Sequence, residues 1–195
     1  MAADHRDLLD GEWWRHIPAY REISHDRFHD HLWQDTNSIT SPRQLRTVLG
    51  ELVTSHFLTD VLAGLARAPM SMRITPYLLS LIDWQDVYGD PIRRQFIPVA
   101  SRMRPDHPRL QFDSLAEQSD SPVPGLTHRY PDRVLFLAMS VCPVYCRFCT
   151  RSYAVGVDTE HVTKKRLSAD RERWKAAFAY IESNPAVEDV VVSGG

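Results

Sequence analysis

Three cysteines, Cys142, Cys146 and Cys149, stand in one short stretch with the spacing C-x3-C-x2-C, and the chain has no others. Three thiolates on one loop can each take one iron of a four-iron cluster and leave the fourth iron open, the arrangement an exogenous ligand needs to bind the metal directly. The open corner points to radical chemistry. Two other uses of the same residues compete with it. A tetrahedral zinc site wants four closed ligands, so the cysteines would have to recruit His128 or His161. A redox pair of Cys146 and Cys149 leaves Cys142 unexplained. Burial of all three as plain core residues fits poorly, because Pro143, Tyr145 and Arg147 make neither an apolar strand nor a helical face.

The elements that must position this loop can be read on either side of it. Residues 134–139 are a short, uniformly apolar run, which predicts a strand buried on both faces, with the loop at its carboxyl end, where (β/α) barrels gather their sites. Beyond the loop, Ser168 to Glu172 starts a helix with acids in its first turn; Trp174, Ala177, Phe178 and Ile181 form its stripe, and Asn184-Pro185 ends it. Residues 187–192 predict a second buried strand, so strand, helix and strand close within about sixty residues, as a right-handed parallel unit requires. Upstream, 105–131 turns to proline, aspartate and serine with little periodicity and reads as an extended linker.

The first hundred residues read as helical. Trp13, Trp14, Ile17 and Tyr20 suggest a weak helix or an aromatic arm that docks elsewhere; Ser24 to Gln34 follows as a helix. In it His25 and His29 stand one turn apart, which without a nearby third ligand reads as a solvated face in preference to a metal pair. Ser41-Pro42 with Gln44 reads as a capping box, 56–67 as a further helix, and Thr75-Pro76 and Asp90-Pro91 as two more starts. The division is therefore a helical region over 1–104, a connecting segment over 105–133 and a strand–helix–strand unit over 134–195.

At 195 residues, 43% hydrophobic and 25% charged with a formal charge of −2, the chain reads as an ordinary globular protein without the basic surplus that nucleic acid would call for. No apolar run approaches the ~20 residues of a membrane span, and residues 1–7 lack a signal sequence. A cytoplasmic location is the default, in keeping with cysteines clustered where a reducing compartment would preserve a cluster. Because the residues stop directly after the second strand, we expect a fragment whose sheet lacks its covering layer.

The text around the loop narrows the reading. Arg73-Ile-Thr-Pro-Tyr77, Asp90-Pro-Ile-Arg-Arg-Gln95, the segment 120–133 ending in His128-Arg-Tyr-Pro-Asp-Arg133, Cys146-Arg-Phe-Cys-Thr-Arg151 and Val190-Val-Val-Ser-Gly-Gly195 together resemble the lysine 2,3-aminomutase family of radical S-adenosylmethionine enzymes. The resemblance implies an α/β fold, an N-terminal helical region followed by the start of a TIM-like barrel cut after its second strand. It implies a [4Fe-4S] cluster on Cys142, Cys146 and Cys149, S-adenosylmethionine on the open iron, and pyridoxal phosphate. Phe148 would lie near the adenine, and Gly194 and Gly195 would meet the methionine amino group. Arg151 would hold the carboxylate of the amino-acid substrate. Arg129 and Arg133, which on residue type alone are surface charges or a salt bridge with Asp132, would contact the phosphate.

The implied reaction moves an amino group between adjacent carbons, most simply L-lysine to β-lysine. Glutamate or arginine 2,3-aminomutase, or a non-catalytic metal-binding fragment, are the alternatives. An electron donor such as flavodoxin or ferredoxin, and assembly into homo-oligomers, come with the same resemblance. Two departures stand out: Ser152-Tyr153 replace arginines usual in the family, and Phe148 replaces a more frequent histidine. The family's pyridoxal-phosphate lysine and substrate-selecting acids have no counterpart in this chain, so we expect it to be inactive alone.

Overall fold

The computed structural model describes residues 9–194. Six short helices make up the first half: α1 (His25–His29), α2 (His31–Thr36), α3 (Pro42–Leu49), α4 (Ser55–Leu65), α5 (Pro76–Ser80) and α6 (Pro91–Phe96). Their starts follow from side chains that accept the free amides of a first turn. Ser41 accepts from the Gln44 amide, Thr54 from Phe57, Thr75 from Leu78 and Asp90 from Arg93. Gln44 reaches back in turn, its Oε1 accepting from the Thr40 amide at 2.7 Å.

The helix expected over 24–34 is instead two. Asp30 is extended (φ −71°, ψ 122°) and its carboxylate caps α2 by accepting from Trp33 N at 2.7 Å, so a residue that favours caps over helix interiors divides the segment. The preceding tryptophans form short 3-10 turns rather than a helix, and they do dock. Trp14 is fully buried and stacks on Phe28 with ring centroids 4.4 Å apart. His25 and His29 stack on one another at 4.3 Å. Trp14, Phe28, Leu45, Leu49, Phe57, Val61, Ile74 and Ile97 belong to the single core beneath all six helices.

Three strands follow: β1 (Leu126–Tyr130), β2 (Arg133–Met139) and, after α7 (Arg171–Glu182), β3 (Asp189–Gly194). They lie in the order β1-β2-β3, with β1 antiparallel to β2 and β2 parallel to β3. The strand–helix–strand unit is present as expected. β1 is an addition, since the segment expected to be an extended linker ends in a hairpin arm. Leu-Thr-His-Arg-Tyr carries almost no strand signal of its own, and its order comes from pairing with β2. Gly125 opens it at φ +83°, where a Cβ would stand 3.1 Å from the Leu137 carbonyl oxygen and against Arg173, so the turn demands glycine.

Burial also departs from expectation. In β2, Val134, Phe136 and Leu137 are buried while Leu135 and Ala138 are only partly covered. The valines of β3 are open, with Val190, Val191 and Val192 at 42, 56 and 66% exposure, because β3 is the sheet's edge. On α7, Ala177 is buried and Trp174 and Ile181 pack toward Leu126, Val134 and Phe136, whereas Phe178 points largely outward. Among the described residues no helix is long and apolar enough to cross a membrane.

Candidate functional site

The cysteine loop leaves the carboxyl end of β2 and is held from several sides by backbone hydrogen bonds. Tyr145 N donates to Arg73 O at 2.9 Å and Arg147 N to Gln95 O at 2.8 Å. Arg147 Nη1 donates to Arg94 O at 2.9 Å, and Arg73 Nε to Pro143 O at 3.2 Å, with Arg73 itself ion-paired to Asp35 at 2.5 Å. Ser140 N donates to Leu167 O at 3.0 Å on the other flank. The segments 73–77 and 90–95, singled out above without a task, thus form the clamp that sets the loop's path. Val144 and Cys146 pack against the helical core, which seats the loop on a rigid body.

All three cysteines are free and partly exposed. Burial pushes the Cys142 thiol up, with the neighbouring Cys149 adding to the effect. Cys146 is pushed up in the same way, by burial first and then by Cys149 and Cys142. Among the described residues no three His, Cys, Asp or Glu side chains stand close enough to hold a single metal ion. A four-iron cluster asks for something wider than one ion does, since each cysteine takes a different iron. Three free, partly exposed cysteines on one loop supply the donors that such a cluster takes.

Gly194 comes directly to this loop. Its carbonyl oxygen accepts a weak hydrogen bond from Cys142 Sγ at 3.7 Å, and its β3 register pairs it with Met139 at the loop's root. Gly195 lies outside the described residues. Phe148 is 65% exposed between the last two cysteines and lines, with Cys149, Arg147, Arg102 and His161, a cavity of about 750 Å³.

Arg151 turns away from solvent onto Glu117, a residue that sequence reasoning missed. The buried Glu117 carboxylate meets Arg151 Nη2 at 3.4 Å and accepts from Tyr153 Oη at 3.0 Å. Arg151 Nε comes within 3.3 Å of the same carboxylate but at too bent an angle for a hydrogen bond, and remains a buried donor with no acceptor. Glu117 follows Ala116, the one non-glycine residue at positive φ (53°) among those described, and Asp113 fixes the turn by accepting from Glu117 N at 2.9 Å.

Arg129 and Arg133 are not brought to the loop. They stand at the hairpin turn, Arg129 near the end of β1 and Arg133 at the start of β2, the latter six residues or about 20 Å of strand from Met139. Arg129 donates to Asp120 at 2.7 Å and Arg133 to Asp132 at 3.0 Å, and these carboxylates hold both guanidinium groups more firmly protonated. As placed, they present paired charges rather than an open phosphate cradle.

No protein-family model matches the chain. Among curated proteins, the L-lysine 2,3-aminomutase of Bacillus subtilis (strain 168) is 38% identical over 182 residues, covering 93% of this chain and 36% of that protein. The L-lysine 2,3-aminomutase of Clostridium subterminale is 39% identical over 183 residues, covering 93% of this chain and 40% of its own length. The glutamate 2,3-aminomutase of Clostridioides difficile (strain 630) is 34% identical over 122 residues, 63% of this chain and 26% of that protein. The chain thus spans 36–40% of the length of the two lysine relatives.

Proposed function

The chain belongs to the lysine 2,3-aminomutase family, and from that premise we propose that it is the cluster-bearing part of a radical S-adenosylmethionine aminomutase, with L-lysine as the substrate. The observation that carries the reading is the clamped loop, with three free, partly exposed cysteines at the carboxyl end of a parallel strand. Lysine is preferred because the relatives named for it match nearly the whole chain, whereas the glutamate enzyme matches less of it.

In this reading Cys142, Cys146 and Cys149 would hold the cluster, with S-adenosylmethionine bound at it. When bound, the cluster supplies the electron that cleaves the sulfonium carbon–sulfur bond reductively. The chain's own residues do the rest. Gly194, without a side chain, lets its backbone approach beside Cys142, and Phe148 offers an exposed apolar face next to Cys149. The clamp from Arg73, Arg94 and Gln95 fixes the loop's path, so the cysteines it carries are held in place before any metal binds.

Arg151 would orient the substrate carboxylate by the edge of its guanidinium that Glu117 leaves free. Pyridoxal phosphate would meet Arg129 and Arg133 only once Asp120 and Asp132 release them. The test is anaerobic reconstitution with iron and sulfide, followed by electron paramagnetic resonance of the reduced chain with and without S-adenosylmethionine. A four-iron signal that changes shape on adding the sulfonium supports the reading, and stoichiometric zinc uptake in place of iron overturns it.

A further inference from the structure

Behind the cysteine loop lies a buried cation that the reading above does not use. Lys164 is only 5% exposed, and its Nζ donates to the carbonyl oxygens of Pro69, at 2.8 Å, and Ser152, with Met70 Sδ at 3.5 Å. Among the described residues no carboxylate stands within ion-pair distance of that ammonium; Asp158 accepts from the Lys164 backbone amide at 2.8 Å and pairs with Arg166 at 3.6 Å instead. Ser152 is in turn tied to the cysteines, since its amide donates to Cys149 O at 3.2 Å. Placing an ammonium in the interior without an anion is costly, so the fold gains something by keeping it. Burial pushes the Lys164 pKa down, while the nearby Cys149 and Asp158 favour its charged form.

We propose that Lys164 is a positioning residue for the metal centre: it ties the exit of the cysteine loop to the connection between α4 and α5, and its charge eases the centre's one-electron reduction. The inference rests on the reading of the loop as a cluster site. In the step concerned, an external one-electron donor is oxidised, the cluster is reduced by that electron, and no bond or proton of Lys164 changes. The cluster becomes more negative by one charge, and a fixed positive charge nearby favours that state. A unit charge acting over roughly 10 Å at an effective dielectric of ~20 changes such an equilibrium by about tenfold. For a one-electron couple that is about 59 mV.

The experiment compares the reconstituted wild-type chain with Lys164→Met and Lys164→Arg by spectroelectrochemical titration, with iron content and near-ultraviolet circular dichroism measured on each. Lys164→Met is expected to shift the midpoint potential negative by the equivalent of about tenfold in the reduction equilibrium, and Lys164→Arg to restore it. Equal potentials in wild type and Lys164→Met, at equal iron content, overturn the inference and leave the cluster reading standing. Failure of the wild-type chain itself to take up iron overturns the cluster reading and this inference with it. Should Lys164→Met lose its tertiary dichroism, Lys164→Gln, which keeps a donor for the Ser152 carbonyl, carries the same expected shift and the same overturning result.

Discussion

Cys142 and Cys146 differ from free cysteine in their surroundings: each sulfur is partly buried, and each has another thiol beside it. Both effects disfavour the thiolate, so in the metal-free chain these thiols ionise above the ordinary value of about 8.5. The thiolate is the nucleophile, and the pH profile of iodoacetamide alkylation, read site by site by mass spectrometry, should therefore have its midpoint above that of free cysteine. A midpoint at or below the free value would contradict the environment described here. The sign for metal is the reverse of that for the proton. Cluster assembly must release these protons, so iron uptake strengthens as pH rises. The cysteine motif was legible from spacing alone. Glu117 and Lys164 were not, because their importance comes from what they touch across long stretches of chain: Glu117 meets Arg151 and Tyr153, and Lys164 meets Pro69.

At the scale of elements, caps were the clearest text. Ser41, Thr75 and Asp90 start their helices as the sequence suggested, since a cap is a local bargain between one side chain and the next turn's amides. Asp90 also has a wider task. Its carboxylate accepts from Asp83 N at 3.0 Å as well as from Arg93 N at 2.8 Å, and it starts the helix whose last turn accepts the Arg147 amide. Asp90→Ala should cost about 2–4 kcal/mol in urea unfolding, from the lost cap and the stranded amides. The same variant should speed hydrogen exchange at Arg147, and an unchanged Arg147 amide would show that the clamp does not depend on α6. β1 was not legible, because its order comes from its partner strand. The three valines in a row specified β3 as a strand, and their exposure accords with a sheet lacking its covering layer. That edge carries a liability. Val191→Lys is expected to lower self-association in sedimentation velocity by charging an exposed apolar edge, and an unchanged distribution would show that β3 makes no contact in solution.

For the molecule as a whole, the loop is the junction between two packed bodies. Val144 and Cys146 pack on the helical core, while Tyr153, Ala154 and Leu167 pack with Leu137 on the strand side. The seating explains why motifs far apart in sequence belong to one site. Arg73, Gln95 and Lys164 reach the loop from elements on either side of it, and each fixes a different part of its path. The central claim is a metal centre with three protein anchors and one open iron. Mössbauer spectroscopy of the chain reconstituted with isotopically enriched iron tests this most directly. On adding S-adenosylmethionine, one iron site should change its parameters while the other three stay as they were. Four irons that remain alike and indifferent to the sulfonium would contradict the account.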